Sequence, residues 1–188
     1  MNIALLYFSG TGNTKWLAET LASQLEVGGA LVDLINLEKN FPFDRYQYDT
    51  FLLAHPVYGV HVPRIVIEKT QAIIPGNIHL SVIATYGYVN ALGYFAEKKA
   101  LGREIDSYYN VKMFNNITTP RSSIHIKSLD KRLHAKTRLE EKIHKIAALI
   151  AGSKRRIAGI GPQLIGGIFV RKALKEGIQS NYRTLGVD

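Results

Sequence analysis

The chain has 188 residues, 46% of them hydrophobic and 21% charged, which suits one folded domain with a substantial core and argues against disorder. It has no cysteine, so it carries no disulfide, no iron–sulfur cluster of its own and no cysteine nucleophile. Its formal charge of +9 is unevenly placed: residues 1–126 hold 10 Lys/Arg against 10 Asp/Glu, and residues 127–188 hold 14 against 5.

Residues 3–8 form a nearly continuous apolar run, as in a parallel strand covered on both faces. The loop Ser9-Gly10-Thr11-Gly12-Asn13-Thr14 follows, then a helix to about residue 25 with Trp16, Leu17, Leu21 and Leu25 at helical spacing. Asn13 or Thr14 is expected to cap it, and Trp16 to pack in the core. Residues 30–37 alternate partly and predict a second strand, and residues 38–48 a loop. Residues 50–55 predict a third strand, opening into Pro56, Val57, Tyr58 and Gly59 before a helix over 64–74. Residues 78–85 predict a fourth strand, opening into Tyr86, Gly87, Tyr88 and Asn90 before a helix over 91–101. A fifth strand over 107–113 and a long helix over 129–151 complete the series, with Leu139, Ile143, Ile146, Ala147 and Ile150 on one helical face. Residues 154–188 read as a basic, glycine-containing extension with helix between 162 and 179.

Five strands alternating with helices predict an α/β sheet with helices on both faces and right-handed crossovers. In such sheets a ligand sits beyond the carboxyl ends of the strands. The ends of strands 1, 3 and 4 carry small and aromatic residues, which suits a ligand with an anion at one end and a flat ring at the other. The first loop lacks the spacing of a Walker A loop, and Lys15 stands where a dinucleotide fingerprint needs its third glycine. A monophosphate fits better. Ser9, Thr11 and Thr14 supply hydroxyls, Gly10 and Gly12 let the backbone curl, and the helix N-terminus supplies N–H groups and partial positive charge.

Ser-Gly-Thr-Gly-Asn-Thr after a buried strand ending in Tyr-Phe resembles the phosphate loop of the flavodoxin family. The resemblance covers about residues 1–150. It implies a flavodoxin-like, five-stranded parallel sheet of order 2-1-3-4-5 that binds FMN; that order is the one general for flavodoxin. It places Pro56, Val57, Tyr58 and Gly59, together with Thr85, Tyr86, Gly87, Tyr88 and Asn90, in the loops flanking the isoalloxazine. Tyr94 is a weaker candidate for ring contact than for packing. His55 and His61 read as surface or loop histidines, with proton donation to a reduced flavin as the alternative. The six histidines show no metal-ligand spacing, and no catalytic triad stands out.

The phrases Tyr7-Phe8-Ser9-Gly10-Thr11-Gly12-Asn13-Thr14-Lys15 and Pro56-Val57-Tyr58-Gly59 are most similar to the flavodoxin-like half of proteins fused to a ferredoxin with two 4Fe–4S clusters. In that group a Val-Asp pair often precedes the first cluster cysteine, and this sequence ends at Val187-Asp188 without a cluster ligand. Residues 1–152 are therefore expected to form the FMN domain and 153–188 its basic extension. The expected function is electron transfer with an acidic redox protein or ferredoxin module. An FMN-dependent NAD(P)H/quinone oxidoreductase and a flavin-free binding module are the alternatives. The basic third reads as a solvated face or as a surface for an acidic protein or an anionic membrane. No nucleic-acid motif stands out. The first apolar run is too short for a signal peptide and no run is long enough to span a bilayer, which gives the expectation of a cytoplasmic protein.

Overall fold

The computed structural model describes residues 1–39, 44–58, 61–76, 78–87, 93–113 and 129–158, with side chains from residue 135 onward in the last of these segments. Five parallel strands, β1 (Asn2–Tyr7), β2 (Leu31–Asn36), β3 (Thr50–Pro56), β4 (His79–Tyr86) and β5 (Ser107–Lys112), form one sheet of order β2-β1-β3-β4-β5. That is the predicted architecture, with strand ends displaced by one residue. β1, β3 and β4 lie inside the sheet and are buried over almost their whole length. Their unbroken apolar runs reflect cover on both faces. β2 is an edge strand and stays largely exposed.

Alternate side chains of each strand serve separate cores, since successive residues point to opposite faces. Ile3, Leu5, Leu52 and Ala54 pack beneath α1 (Asn13–Val27) and α4 (Leu129–Ala151). Leu17, Leu21 and Leu25 of α1 meet Leu139, Ile143, Ile146 and Ile150 of α4 there, and Trp16 packs against the rim of this core. Ala4, Leu6, Phe51 and Leu53 pack on the other face, under α2 (Arg64–Ile73) and α3 (Gly93–Leu101). The crossovers thus change face between β1 and β3, so the crevice at the carboxyl ends of these two strands is the topological switch point.

Two polar staples hold the opposite end of the sheet. The Arg103 guanidinium donates to the carbonyls of Ile74, Pro75 and Ile78 at 3.0, 3.0 and 3.1 Å. A lysine cannot reproduce this planar fork. Arg103→Lys is expected to lower stability by about 1–3 kcal/mol in urea unfolding, because partly buried carbonyls lose their donors. Asp106 accepts from the Leu80 amide at 3.0 Å and from Arg155. Beyond α4 the chain turns onto the free edge of β5. The Tyr108 amide donates to Arg156 O and the Ala158 amide to Tyr108 O, both at 2.8 Å. A parallel bridge between Tyr108 and Ile157 results, and it covers part of an otherwise open edge.

The predicted loop over 38–48 contains a short 3-10 turn, Arg45–Gln47, capped by Asp44 Oδ1 from the Tyr46 amide at 3.0 Å. The expected helix between 162 and 179 lies outside the described residues.

Candidate functional site

The carboxyl ends of β1, β3 and β4 are neighbours in the sheet, so the loops that leave them stand side by side. Phe8 N donates to Ala54 O at 3.1 Å, and Val57 N donates to Thr85 O at 2.8 Å. These bonds carry the sheet register past the strand ends and fix the loop roots.

The first loop enters α1 without a side-chain cap. Gly12 is the N-cap residue, with φ 87°, a left-handed conformation that glycine adopts freely. The expected cap by Asn13 or Thr14 is therefore corrected. Both residues lie inside the helix, and the turn that starts it is made by Gly12. The first turn holds no acidic side chain, so its partial positive charge is not offset there. Ser9 Oγ accepts from the Lys15 amide at 3.1 Å, which leaves its own proton to donate elsewhere. Thr11 is exposed beside it.

Thr14 has a different place. Its side chain is buried, and its Oγ1 lies 2.8 Å from Thr85 Oγ1. Thr85 Oγ1 donates its single proton to His55 O at 3.3 Å, so Thr14 is the donor between the two hydroxyls. This chain of bonds links all three loop roots.

Tyr58 reaches back over the first loop. A Cβ built at Gly10 would run into the Tyr58 hydroxyl, so the tyrosine and the loop backbone meet only because Gly10 has no side chain. Tyr58 is 42% exposed, and its backbone pairs with His61 through bonds of 3.2 and 3.1 Å. Pro56 pairs in register with Thr85, and Val57 is nearly buried. Tyr86 is half-buried against the α2/α3 core, and burial raises its phenol pKa above 10.0. Gly87 is partly exposed beside it. The structure thus brings Ser9, Gly10, Thr14, Tyr58 and Thr85 together. Gly59, Tyr88 and Asn90 lie outside the described residues.

Two expectations about nearby side chains change or sharpen. His55 is fully buried, which corrects its reading as a surface or loop histidine. The strand alternation that buries Phe51 and Leu53 under α2 and α3 carries His55 to the same face. There its Nε2 bonds Glu97 Oε1, its Nδ1 lies 3.1 Å from Pro56 O, and Tyr108 OH donates to Glu97 Oε2 at 2.9 Å. Glu97 and Tyr108 are functional candidates that the sequence reading missed. A signal existed: Glu97 falls three residues after Tyr94 and four before Leu101, on the buried stripe of α3. Tyr94 itself packs edge-on against Tyr108 at 6.0 Å and donates to Ile105 O at 3.2 Å, so packing is its role. His61 is exposed.

The solved structures that this chain resembles decide the fold. The Streptococcus pneumoniae TIGR4 flavodoxin superimposes with a TM-score of 0.54 over 81% of this chain and 99% of its own, at 17% identity. The fold is flavodoxin-like. The two-electron reduced flavodoxin of Megasphaera elsdenii agrees, with a TM-score of 0.53 over 78% of this chain and 98% of its own at 18% identity. So does rubredoxin oxygen:oxidoreductase from Desulfovibrio gigas, at 0.53 and 17% identity over 81% of this chain and 35% of that one. In sequence, the chain is 32% identical over 111 residues to a Nostoc sp. (strain PCC 7120) protein named diflavin flavoprotein A 5. That match spans 56% of this chain and 18% of the relative, so the chain corresponds to a small part of it. No protein-family model matches the chain. Among the described residues, no helix is long and apolar enough to cross a membrane.

Proposed function

We propose that this chain is a flavodoxin-type protein that binds FMN at the three loops and passes electrons to a partner protein. The observation that carries the reading is the meeting of a helix N-terminus entered through Gly12, a hydroxyl-bearing loop and a tyrosine at the Gly10–Tyr58 approach. Such an N-terminus suits a phosphate, and an aromatic side chain beside it suits a flat ring. The flavodoxin-like fold and the diflavin relative support the same ligand. The residues present fit it. Gly10 lets Tyr58 lie against the loop, and the Ser9 proton is uncommitted within the loop.

In this reading Ser9, Thr11 and the amides of Gly10, Gly12 and Asn13 hold the phosphate. Thr14 holds the loop to Thr85. Tyr58, Tyr86 and the backbone of Pro56, Val57 and Gly87 would hold the ring, with Gly59, Tyr88 and Asn90 as the further residues that the sequence resemblance offers for it. Bound FMN supplies one- and two-electron chemistry, and the protein's part is to bind, orient and shield it. The purified full chain should be yellow, or become so on adding FMN. A colourless chain that leaves FMN fluorescence unchanged contradicts the reading. Turnover of NAD(P)H with a quinone would move it from carrier to oxidoreductase.

The partner is proposed as an acidic redox protein, with a ferredoxin-type module favoured by the sequence resemblance. The excess of Lys/Arg over residues 127–188 supports this. Association should weaken as salt rises and the screening length shortens from about 10 Å at 0.1 M to about 3 Å at 1 M. Salt-independent binding, measured by surface plasmon resonance with an acidic ferredoxin, would remove the electrostatic docking.

A further inference from the structure

His55, Glu97 and Tyr108 form a buried polar network to which the proposed electron transfer assigns no role. All three side chains are essentially inaccessible, at 0% exposure each. Burying ionisable groups in this way is costly unless they are paired and bonded, so their bonding pattern is informative.

The pattern specifies protons. Pro56 O can only accept, so His55 Nδ1 carries a proton toward it. Tyr108 donates to Glu97 Oε2, which marks Glu97 as an acceptor, and its other oxygen faces His55 Nε2. As a carboxylate, Glu97 accepts a second hydrogen bond from a protonated Nε2, and the ring that keeps both protons is an imidazolium. Burial is the largest single influence and works against that charge, but the charge and hydrogen bond of Glu97 together with the Pro56 carbonyl outweigh it, so the pKa of His55 lies above 6.5. Of the other titratable groups on the elements packed over this face, Tyr94 of α3 lies edge-on to Tyr108 with its hydroxyl turned to Ile105 O. Arg64 and Glu68 of α2 pair in solvent, as does Lys98 of α3 with Glu104, and Tyr86 of β4 is half-buried. Lys69 of α2 and Lys99 of α3 form no ion pair with His55 or Glu97.

The network also has a place in the fold. His55 and Pro56 end β3 and begin the Tyr58 loop, while Glu97 sits on α3, the helix that follows the loop after β4. The ion pair therefore joins the root of the loop after β3 to α3. We propose that His55, Glu97 and Tyr108 form a charged clamp that positions Pro56–Tyr58 against α3, so that FMN affinity depends on the clamp keeping its charge. This rests on the FMN reading, and the three residues are positioning residues with no contact to the ligand required.

The test uses the full chain, its Glu97→Gln variant and, should that variant not fold, Tyr108→Phe. In 15N-detected spectra of the ligand-free chain at pH 6.5, both ring nitrogens of His55 should be predominantly protonated; a neutral single tautomer overturns the clamp. Amide hydrogen exchange at Val57, which bonds Thr85 O, should accelerate about tenfold in either variant relative to the wild type. Unchanged exchange overturns it. FMN titrated by fluorescence quenching should bind the wild type more weakly, by about tenfold, once pH has risen far enough for the ring spectra to show His55 neutral, while Glu97→Gln is weaker throughout and flat with pH. Equal affinities and equal pH profiles overturn the coupling. If the wild type binds no FMN, the proposed function fails, and the ring spectra and amide exchange still decide the clamp.

Discussion

Glu97→Ala is expected to destabilise the protein by about 3–5 kcal/mol, the cost typical of removing one partner from a buried ion pair. The substitution strips His55 Nε2 of its acceptor and leaves Tyr108 OH without the carboxylate it donates to. His55 can respond by losing its proton, which holds the cost to the lower part of that range. Urea unfolding at pH 7 measures it, as a lower midpoint at unchanged slope. The pH dependence follows from the sign of the shift. The folded pKa of His55 lies above its unfolded value, so its contribution is complete below about pH 6.5 and is lost as pH rises through the folded value. Wild-type stability should therefore decline on the alkaline side of neutrality, and Glu97→Ala should lack that decline. A wild type whose stability is flat from pH 6 to 9 would remove the charged pair.

Gly10→Ala is expected to leave stability within about 0.5 kcal/mol of wild type and to weaken FMN binding about tenfold or more. The new methyl group collides with the Tyr58 hydroxyl, which is the far end of a mobile side chain and can swing away at little cost. That swing removes the aromatic neighbour of the loop over residues 9–14. Gly12→Ala is the complementary change. Nothing crowds a Cβ at Gly12, but its φ of 87° costs an alanine about 1–2 kcal/mol. In the proposed function one glycine thus serves the ligand and the other the backbone. Equal losses of stability in both variants would contradict this division.

These two regions differ in how far they can be read from the chain. The central strands were legible because burial on both faces leaves them apolar throughout, and the glycines and hydroxyls of residues 9–14 mark a tight turn into a helix. The sheet order followed from the alternation of strands and helices together with the family resemblance. The cap at Gly12 was not legible, because Asn13 and Thr14 are better capping residues by type, and only the fold shows Thr14 turned inward to Thr85. The His55–Glu97 bond joins residues 42 positions apart, and no local pattern announces such a partner. His55 in particular resembled any histidine at a strand end until the alternation of β3 was set against α3.

The central claim is that the loop at residues 9–14 holds the phosphate of a flavin, and parallel titration of the full chain with FMN and riboflavin tests it most directly. The two ligands differ only by the phosphate. Charge-assisted hydrogen bonds are worth about 1.5–3 kcal/mol, so FMN is predicted to bind about 10–100-fold more tightly, with its fluorescence quenched at one equivalent. Equal affinity for the two, or no quenching by either, would contradict it.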